Sequence, residues 1–330
     1  MPSLAPAIAE IRLAVRTALA DLPEGATVIV ALSGGADSLA LAAAVAFEAP
    51  KLGLRVASLT VDHGLQHDSA EVASVAARAA ADLGLDPLIV SVDVAGEGGP
   101  EAAAREARYR VLRDAAADVG AAAVLLGHTL DDQAETVLLG LARGSGAASL
   151  QGMAPVREDE DGVRWVRPLL GVRRETTRAF CVASDLTPWD DPHNRDDRYA
   201  RVRVRERVLP VLEDELGPGI AEALARTAEQ LREDAEAFDE MIHETIEDIV
   251  EHAEAGISVS VAALAANPAA LRNRIIRLVV DSEFGVSLTR SQTIEVARLV
   301  TDWNGQGPID LPECSAMRHG GRIVFAASGR

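Results

Sequence analysis

The feature that most constrains the fold is a regular alternation, over residues 27–143, of short apolar runs with longer Ala- and Leu-rich runs. Residues 27–32 (TVIVAL), 54–61, 88–92 and 123–126 are brief and rich in Val, Ile and Leu, as strands covered on both faces must be. Between them, 38–48, 70–83, 101–118 and 131–143 have helical length and periodicity. Strands alternating with helices of this size form βαβ units, and so a parallel sheet with right-handed crossovers. The expected fold is α/β, a doubly wound parallel sheet. Ligands in such a sheet collect beyond the carboxyl ends of its strands.

After Arg143 the pattern changes. Two short strands at 153–156 and 164–166 flank an acidic turn, a helix is expected at 173–184, and a polar loop follows at 188–197. Gly217-Pro218-Gly219 marks the expected domain boundary, dividing the chain into 1–216 and 217–330. The second part reads as mainly helical. One long helix spans 220–253 with a stripe at Leu224, Leu231, Phe238, Ile242, Ile246 and Ile249, and further helices fit 271–282 and 290–302. A small hairpin, 315–318 and 322–326, turns at His319-Gly320-Gly321.

The charge is unevenly spread. The net formal charge is −19, which taken alone argues against nucleic acid. Residues 164–207, however, carry 11 arginines against seven acidic residues, whereas 213–256 carry 15 acidic residues against two arginines. A basic strip therefore precedes an acidic helix. Cys181 and Cys314 are the two cysteines, with no spacing for a metal or redox pair. No window resembles a membrane span, residues 1–20 lack a signal-peptide pattern, and a reducing cytoplasm is the expected setting.

The strongest chemical signal is Ser33-Gly34-Gly35-Ala36-Asp37-Ser38, between the first strand and the first helix of the alternation. Two glycines let the backbone curl and a phosphate approach closely. The loop amides and the helix N-terminus then converge on one anion, and Ser33 and Ser38 add hydroxyls. Asp37 would repel a pyrophosphate alone but can hold a Mg²⁺ that bridges phosphates. The loop lacks the lysine of a Walker A motif. A plain Gly-Gly turn with Asp and Ser capping the helix is the alternative reading.

SGGADS resembles the signature of the N-type ATP pyrophosphatases, the PP-loop family, which cleave ATP to AMP and pyrophosphate while adenylating a carbonyl-type oxygen. Further stretches narrow the likeness: 61–65 (VDHGL), 103–109 (AAREARY), 125–136 (LLGHTLDDQAET), 141–146 (LARGSG), 150–153 (LQGM), 167–170 (RPLL) and 191–194 (DPHN). Together they are similar to the tRNA(Ile)-lysidine synthases across residues 26–212. The resemblance implies a PP-loop ATPase sheet, ATP as cosubstrate, Mg²⁺, free L-lysine, and the isoleucine tRNA with anticodon CAU as partner. It implies that ATP adenylates the C2 oxygen of the wobble cytidine and that the ε-amine of lysine then displaces AMP. A homodimer is one assembly compatible with the chain.

The resemblance assigns lysine recognition to Asp132 and Glu135. At i, i+3 they share a helix face, as do Asp131 and Glu135 at i, i+4, while a helix start also attracts acids for its dipole. His128 falls at a strand end and is expected near the adenylate or the cytosine; His63 has the same kind of position. Arg105 and Arg108 share a helix face, either steadying the α-phosphate or solvated beside Glu101 and Glu106, and the resemblance favours Arg105. The expected catalytic set is Asp37, Arg105 and His128.

RNA binding needs cations aimed at phosphates, and Arg201, Arg203 and Arg205 are the expected contacts, alongside the 272–277 and 318–322 regions. The family pattern here is roughly DPSN followed by RNxIR; this chain has His193 for the Ser and Val202 for the Asn. Rival readings are a thiolating relative, for which the cysteine spacing is wrong, and a non-catalytic nucleotide-binding module, which needs neither Asp37 nor an amine site.

Overall fold

The computed structural model describes residues 4–64, 69–92, 100–144, 146–191, 196–253 and 256–328. Leu65, residues 98–99, Ser145 and 192–195 lie outside the described residues, and with them the DPHN motif beyond Asp191.

The first unit opens with α1 (Pro6–Leu19), then β1 (Thr27–Ala31), α2 (Ala36–Glu48), β2 (Arg55–Asp62), α3 (Ser69–Asp82), β3 (Asp86–Ser91), α4 (Pro100–Val119), β4 (Ala123–Leu125) and α5 (Leu130–Arg143). It continues with α6 (Ala147–Leu150), β5 (Val156–Glu158), β6 (Arg164–Val166), α7 (Arg174–Ala183), α8 (Ala200–Arg203), a π-helical turn at Val204–Val208 and α9 (Leu209–Leu216). The six strands lie in the order β3-β2-β1-β4-β6-β5. All pairings are parallel except β5 with β6.

Both faces of the sheet are covered, which explains the near-continuous apolar strands. Val28 and Val30 of β1 pack with Ile11, Val15 and Leu19 of α1, with α2, and with Phe180 of α7. Ile29, on the opposite face, joins Leu59, Val124 and Trp165 against Leu112 and Ala116 of α4. From β1 the chain proceeds outward to β2 and β3, then returns to place β4 on the other side. The crevice between β1 and β4 is therefore the switch point where an open α/β sheet binds ligands.

The remaining elements are α10 (Ile220–Ile249), β7 (Val250–Ala253), β8 (Gly256–Ser260), α11 (Val261–Ala266), α12 (Ala269–Phe284), α13 (Arg290–Thr301), β9 (Ile309–Leu311), β10 (Cys314–His319) and β11 (Arg322–Ala327). The two compact units are 1–232 and 233–330. They divide within α10 rather than at Gly217. The Glu213 carboxylate accepts from the amides of Gly219, Ile220 and Ala221 at 2.7, 3.2 and 3.0 Å, and Arg173 bonds Glu222 at 2.7 Å. These bonds hold the first turns of α10 in the first unit.

The second unit is less helical than the sequence suggests. Its terminal hairpin is the middle of a five-stranded antiparallel sheet, β7-β8-β11-β10-β9. The long helix ends at Ile249, because Val250–Ala253 pairs with β8 instead. Strands of three to five residues fall below the length at which alternation is readable, so tertiary pairing decides them. Phe325, Ile323 and Val259 of the sheet pack with Ile275, Ile276 and Val279 of α12 in its core.

Candidate active site

The turn after β1 is built from its own hydroxyls. Ser38 Oγ accepts from the Ser33 amide at 3.2 Å, lies 3.1 Å from Ser33 Oγ and donates to the Gly35 carbonyl at 3.0 Å. Gly34 has φ +84, a conformation that only glycine adopts cheaply, and its carbonyl accepts from the Trp189 amide at 2.9 Å. Gly35 is the N-cap of α2 with no side-chain cap. The first-turn amides of that helix thus face the crevice, as an anion site requires.

Around this turn lies a cleft of about 770 Å³. Its walls include Ser33, Asp37, Asp62, His63, Gly127 and His128 from the ends of β1, β2 and β4, together with Asp132, Arg108, Arg174 and Arg205. The loop residues Ser33, Gly35, Ala36, Asp37 and Ser38, His128 and Asp132 therefore meet in one cleft, whereas Gly34 does not line it. Arg105 does not line it. Its guanidinium lies 5.1 Å from the Tyr109 ring centroid and 3.4 Å from the Tyr109 hydroxyl, on an exposed part of α4. One turn along the helix, Arg108 faces the cleft instead, and its Nε has no hydrogen-bond partner among the described residues.

Asp37 is held from two sides. Thr177 Oγ1 donates to its Oδ1, and Arg174 Nε lies 3.5 Å from its Oδ2. Burial pushes its carboxyl above the ordinary range, and the Thr177 and Arg174 contacts only partly offset this. Among the described residues no group of three or more His, Cys, Asp or Glu could by itself hold a metal ion. A single carboxylate still suits Mg²⁺, which keeps several waters and shares phosphate oxygens.

Arg174 is the hub of the floor. Its Nη2 bonds Asp132 at 2.8 Å, its Nη1 bonds Glu135 at 3.0 Å, and its amide donates to Asp131 at 2.8 Å. Asp131 thus caps α7 and pairs with Arg173 at 3.2 Å, which takes it away from Glu135. Asp132 also closes a capping box with Thr129. Burial alone would raise the Asp132 carboxyl, but Arg174 and the Thr129 amide outweigh it and hold it below the usual range.

Glu135 is 0% exposed and does not line the cleft. Arg205 closes over it with bonds of 2.7 and 3.1 Å, and Arg201 Nε lies 3.7 Å away while its Nη2 donates to Thr136 at 2.9 Å. Arg201 and Arg205, read from the sequence as an outward basic strip, are turned inward here. The reason is that a fully desolvated carboxylate needs cationic partners. Arg203 remains exposed, its Nη1 donating to the carbonyls of Asp197 and Arg198 at 2.7 Å each.

His128 faces the cleft, yet burial holds its imidazole down to about 3; Arg108, Arg167 and Arg105 act in the same direction and Asp132 opposes them. The ring is neutral at working pH, and its Nδ1 has no partner among the described residues. His63 is lowered as well, by burial and by Arg108. Other motif residues are structural. Gln133 exchanges two hydrogen bonds with Met153, at 2.8 and 2.7 Å, tying α5 to the LQGM segment. Arg174 and Thr177 carry no sequence signal, because their partners are 39 to 140 residues away.

A family model described as a PP-loop domain matches residues 9–212, and one described as a TilS substrate binding domain matches residues 260–324. The tRNA(Ile)-lysidine synthase of Leifsonia xyli subsp. xyli is 60% identical over 306 residues, covering 92% of this chain and 91% of that protein. The protein of the same name from Thermobifida fusca is 50% identical over 98% of each chain. Among solved structures, the U34-tRNA thiolase NcsA from Methanococcus maripaludis, with its 4Fe-4S cluster, aligns with a TM-score of 0.59 at 21% identity. That alignment covers 69% of this chain and 80% of the other, and it establishes likeness of fold.

Proposed function

Starting from the chain's membership of the tRNA(Ile)-lysidine synthase family, we propose that it joins free lysine to C2 of the wobble cytidine of isoleucine tRNA with anticodon CAU, at the expense of ATP. The observation that carries this reading is the meeting of the 33–38 turn, His128 and Asp132 in one cleft at the strand ends.

In this reaction the cytosine C2 oxygen attacks the α-phosphorus of ATP and pyrophosphate departs. The lysine amine, having lost a proton, then attacks C2, the C2–O bond breaks, and AMP leaves. The amides at the start of α2, with Ser33 and Ser38, cradle the departing pyrophosphate. Asp37 is the residue that would hold Mg²⁺, whose charge offsets that of the phosphates. Arg108 supplies a guanidinium to the anionic α-phosphate from the cleft wall. With its pKa near 3, the His128 ring is a poor proton reservoir at neutral pH but a good hydrogen-bonding group for the base or its adenylate. Asp132, ionised and cleft-facing, with Glu135 behind it, forms the amine site.

RNA contact extends to the second unit. On α12, Arg277 is exposed, and its guanidinium is held below its usual value by partial burial and then by Arg274 and Arg290, a cluster of positive charge that suits a phosphate. Arg318 and Arg322 contribute less, since they bond the Leu299 carbonyl at 2.9 Å and Ser258 Oγ at 2.8 Å within the unit. Thiolation is disfavoured: Cys181 and Cys314 are both buried, and burial pushes the Cys181 thiol up to about 11. Incubation with ATP, lysine and transcript tRNA, followed by mass spectrometry of the nucleosides, should find lysine added to cytidine. Pyrophosphate release that persists without tRNA, and no modified cytidine with all components present, would refute the assignment.

A further inference from the structure

Asp37, Asp132 and Glu135 stand against Arg174, Arg201 and Arg205, three carboxylates with three guanidiniums. Within this cluster each carboxylate already has a guanidinium partner, so an entering ammonium must compete with one of them. Glu135 is also sealed from the cleft, with Arg174 and Arg205 between them. The three guanidiniums are not equally anchored. Arg174 touches Asp37, Asp132 and Glu135 and is 12% exposed at its side chain. Arg201 is on the margin at 3.7 Å and bonds Thr136. Arg205 lines the cleft while bonding Glu135 with two of its nitrogens, at 2.7 and 3.1 Å, and its Nη2 lies 3.6 Å from Asp132. It extends from a π-helical turn, a rare local geometry that re-aims side chains and is common at functional sites.

We propose that Arg205 is an internal counter-ion that occupies the amine site and must yield Glu135 before the substrate's ammonium can reach it. The proposal rests on the reading that Asp132 and Glu135 receive lysine. It makes Arg205 a specificity-determining residue. The site admits a cation only by exchange, so an amine too short to touch Asp132 and Glu135 together leaves Arg205 in place. Lysine affinity is then the difference between the new ammonium contacts and the lost guanidinium pair. The displaced guanidinium moves into the cleft, where the anionic substrates lie.

The test is lysine binding to the full chain, measured by calorimetry in the presence of ATP, for wild type and Arg205→Gln. A charge-assisted contact of this kind corresponds to about ten- to a hundredfold in affinity, so the variant should bind lysine more tightly by that factor. Millimolar guanidinium ion, matched by NaCl in the control, should return the variant toward wild-type affinity by filling the vacated place. Unchanged or weaker lysine binding in a folded Arg205→Gln would overturn the proposal, leaving Arg205 a structural partner of Glu135.

Should the variant not fold, the wild type still decides the matter. Labelling by phenylglyoxal, read by peptide mass spectrometry, should be faster at Arg205 with saturating lysine than without it. Equal or slower labelling sinks the exchange. If wild type forms lysidine yet neither lysine effect appears, only the exchange fails. If wild type binds no lysine and forms no lysidine, the reading of the site fails with it.

Discussion

Gly127→Ala adds one methyl group where the structure has no room for it. Gly127 follows β4 and abuts the first turn of α2. A Cβ there would lie 3.1 Å from both the Ser38 amide nitrogen and Ser38 Cα, and 3.2 Å from the Asp37 carbonyl carbon, where ordinary contacts are 3.4–4 Å. All three neighbours are backbone, so no side chain can swing aside. Either β4 and α2 separate by a few tenths of an ångström or the turn 33–38 shifts. Overpacking of this kind costs about 1–3 kcal/mol. For a unit of this size that lowers the melting temperature by roughly 3–9 °C. The displaced atoms belong to the 33–38 turn, the proposed pyrophosphate cradle, so pyrophosphate release should fall by about tenfold or more, since small misplacements of reacting groups are costly. Gly171→Ala is the control, because a Cβ at Gly171 meets nothing within 4 Å. Thermal melting and a pyrophosphate assay on both variants suffice. If Gly127→Ala melts and turns over like Gly171→Ala, the close approach of β4 to the turn does not shape the site.

Asp37→Asn should abolish ATP-dependent pyrophosphate release yet raise the melting temperature at pH 7. Burial raises the Asp37 carboxyl, so its ionised form opposes folding as pH climbs past the ordinary carboxylate range, and the amide removes that cost; a lower melting temperature at neutral pH would contradict this. Arg174→Met strands Asp37, Asp132 and Glu135 without their shared partner and should cost about 3–5 kcal/mol by urea denaturation. Its deficit should shrink in acid, where protonation relieves the stranded carboxylates; a deficit independent of pH would count against the charge argument. His128 has a folded value near 3 against about 6.5 unfolded, so the unfolded chain binds the extra proton between those limits and stability drops as pH falls through that window. His128→Asn should flatten that part of the profile in pH-dependent melts, and an unaltered slope would show the ring to be freely protonated.

The elements were legible wherever local pattern is enough. The runs at 27–32 and 123–126 became β1 and β4 because apolar strands bounded by helices have one way to be buried on both faces. SGGADS and GHT fall beyond their carboxyl ends for the same reason, and the cleft follows from strand order. The β-sheet of the second unit was less legible. ISVS at 257–260 is too short to announce itself, and residues 250–253 continue a helical stripe until β8 offers them hydrogen bonds.

Sequence by itself determined the strands and helices of the sheet, the Gly-Gly turn at 33–38, and the placement of His128 and Asp132 just after β4, all of which depend on neighbours a few residues away. Only tertiary structure decided which charges would meet. Arg108 rather than Arg105 reaches the cleft, Arg174 bridges Asp37 to Asp132 and Glu135, and Arg205, 70 residues from Glu135, turns inward to close over it. The physical reason is desolvation. A carboxylate's partner is chosen by how much water the fold removes from it and by which cation the packing brings within reach, and neither quantity is encoded in local spacing.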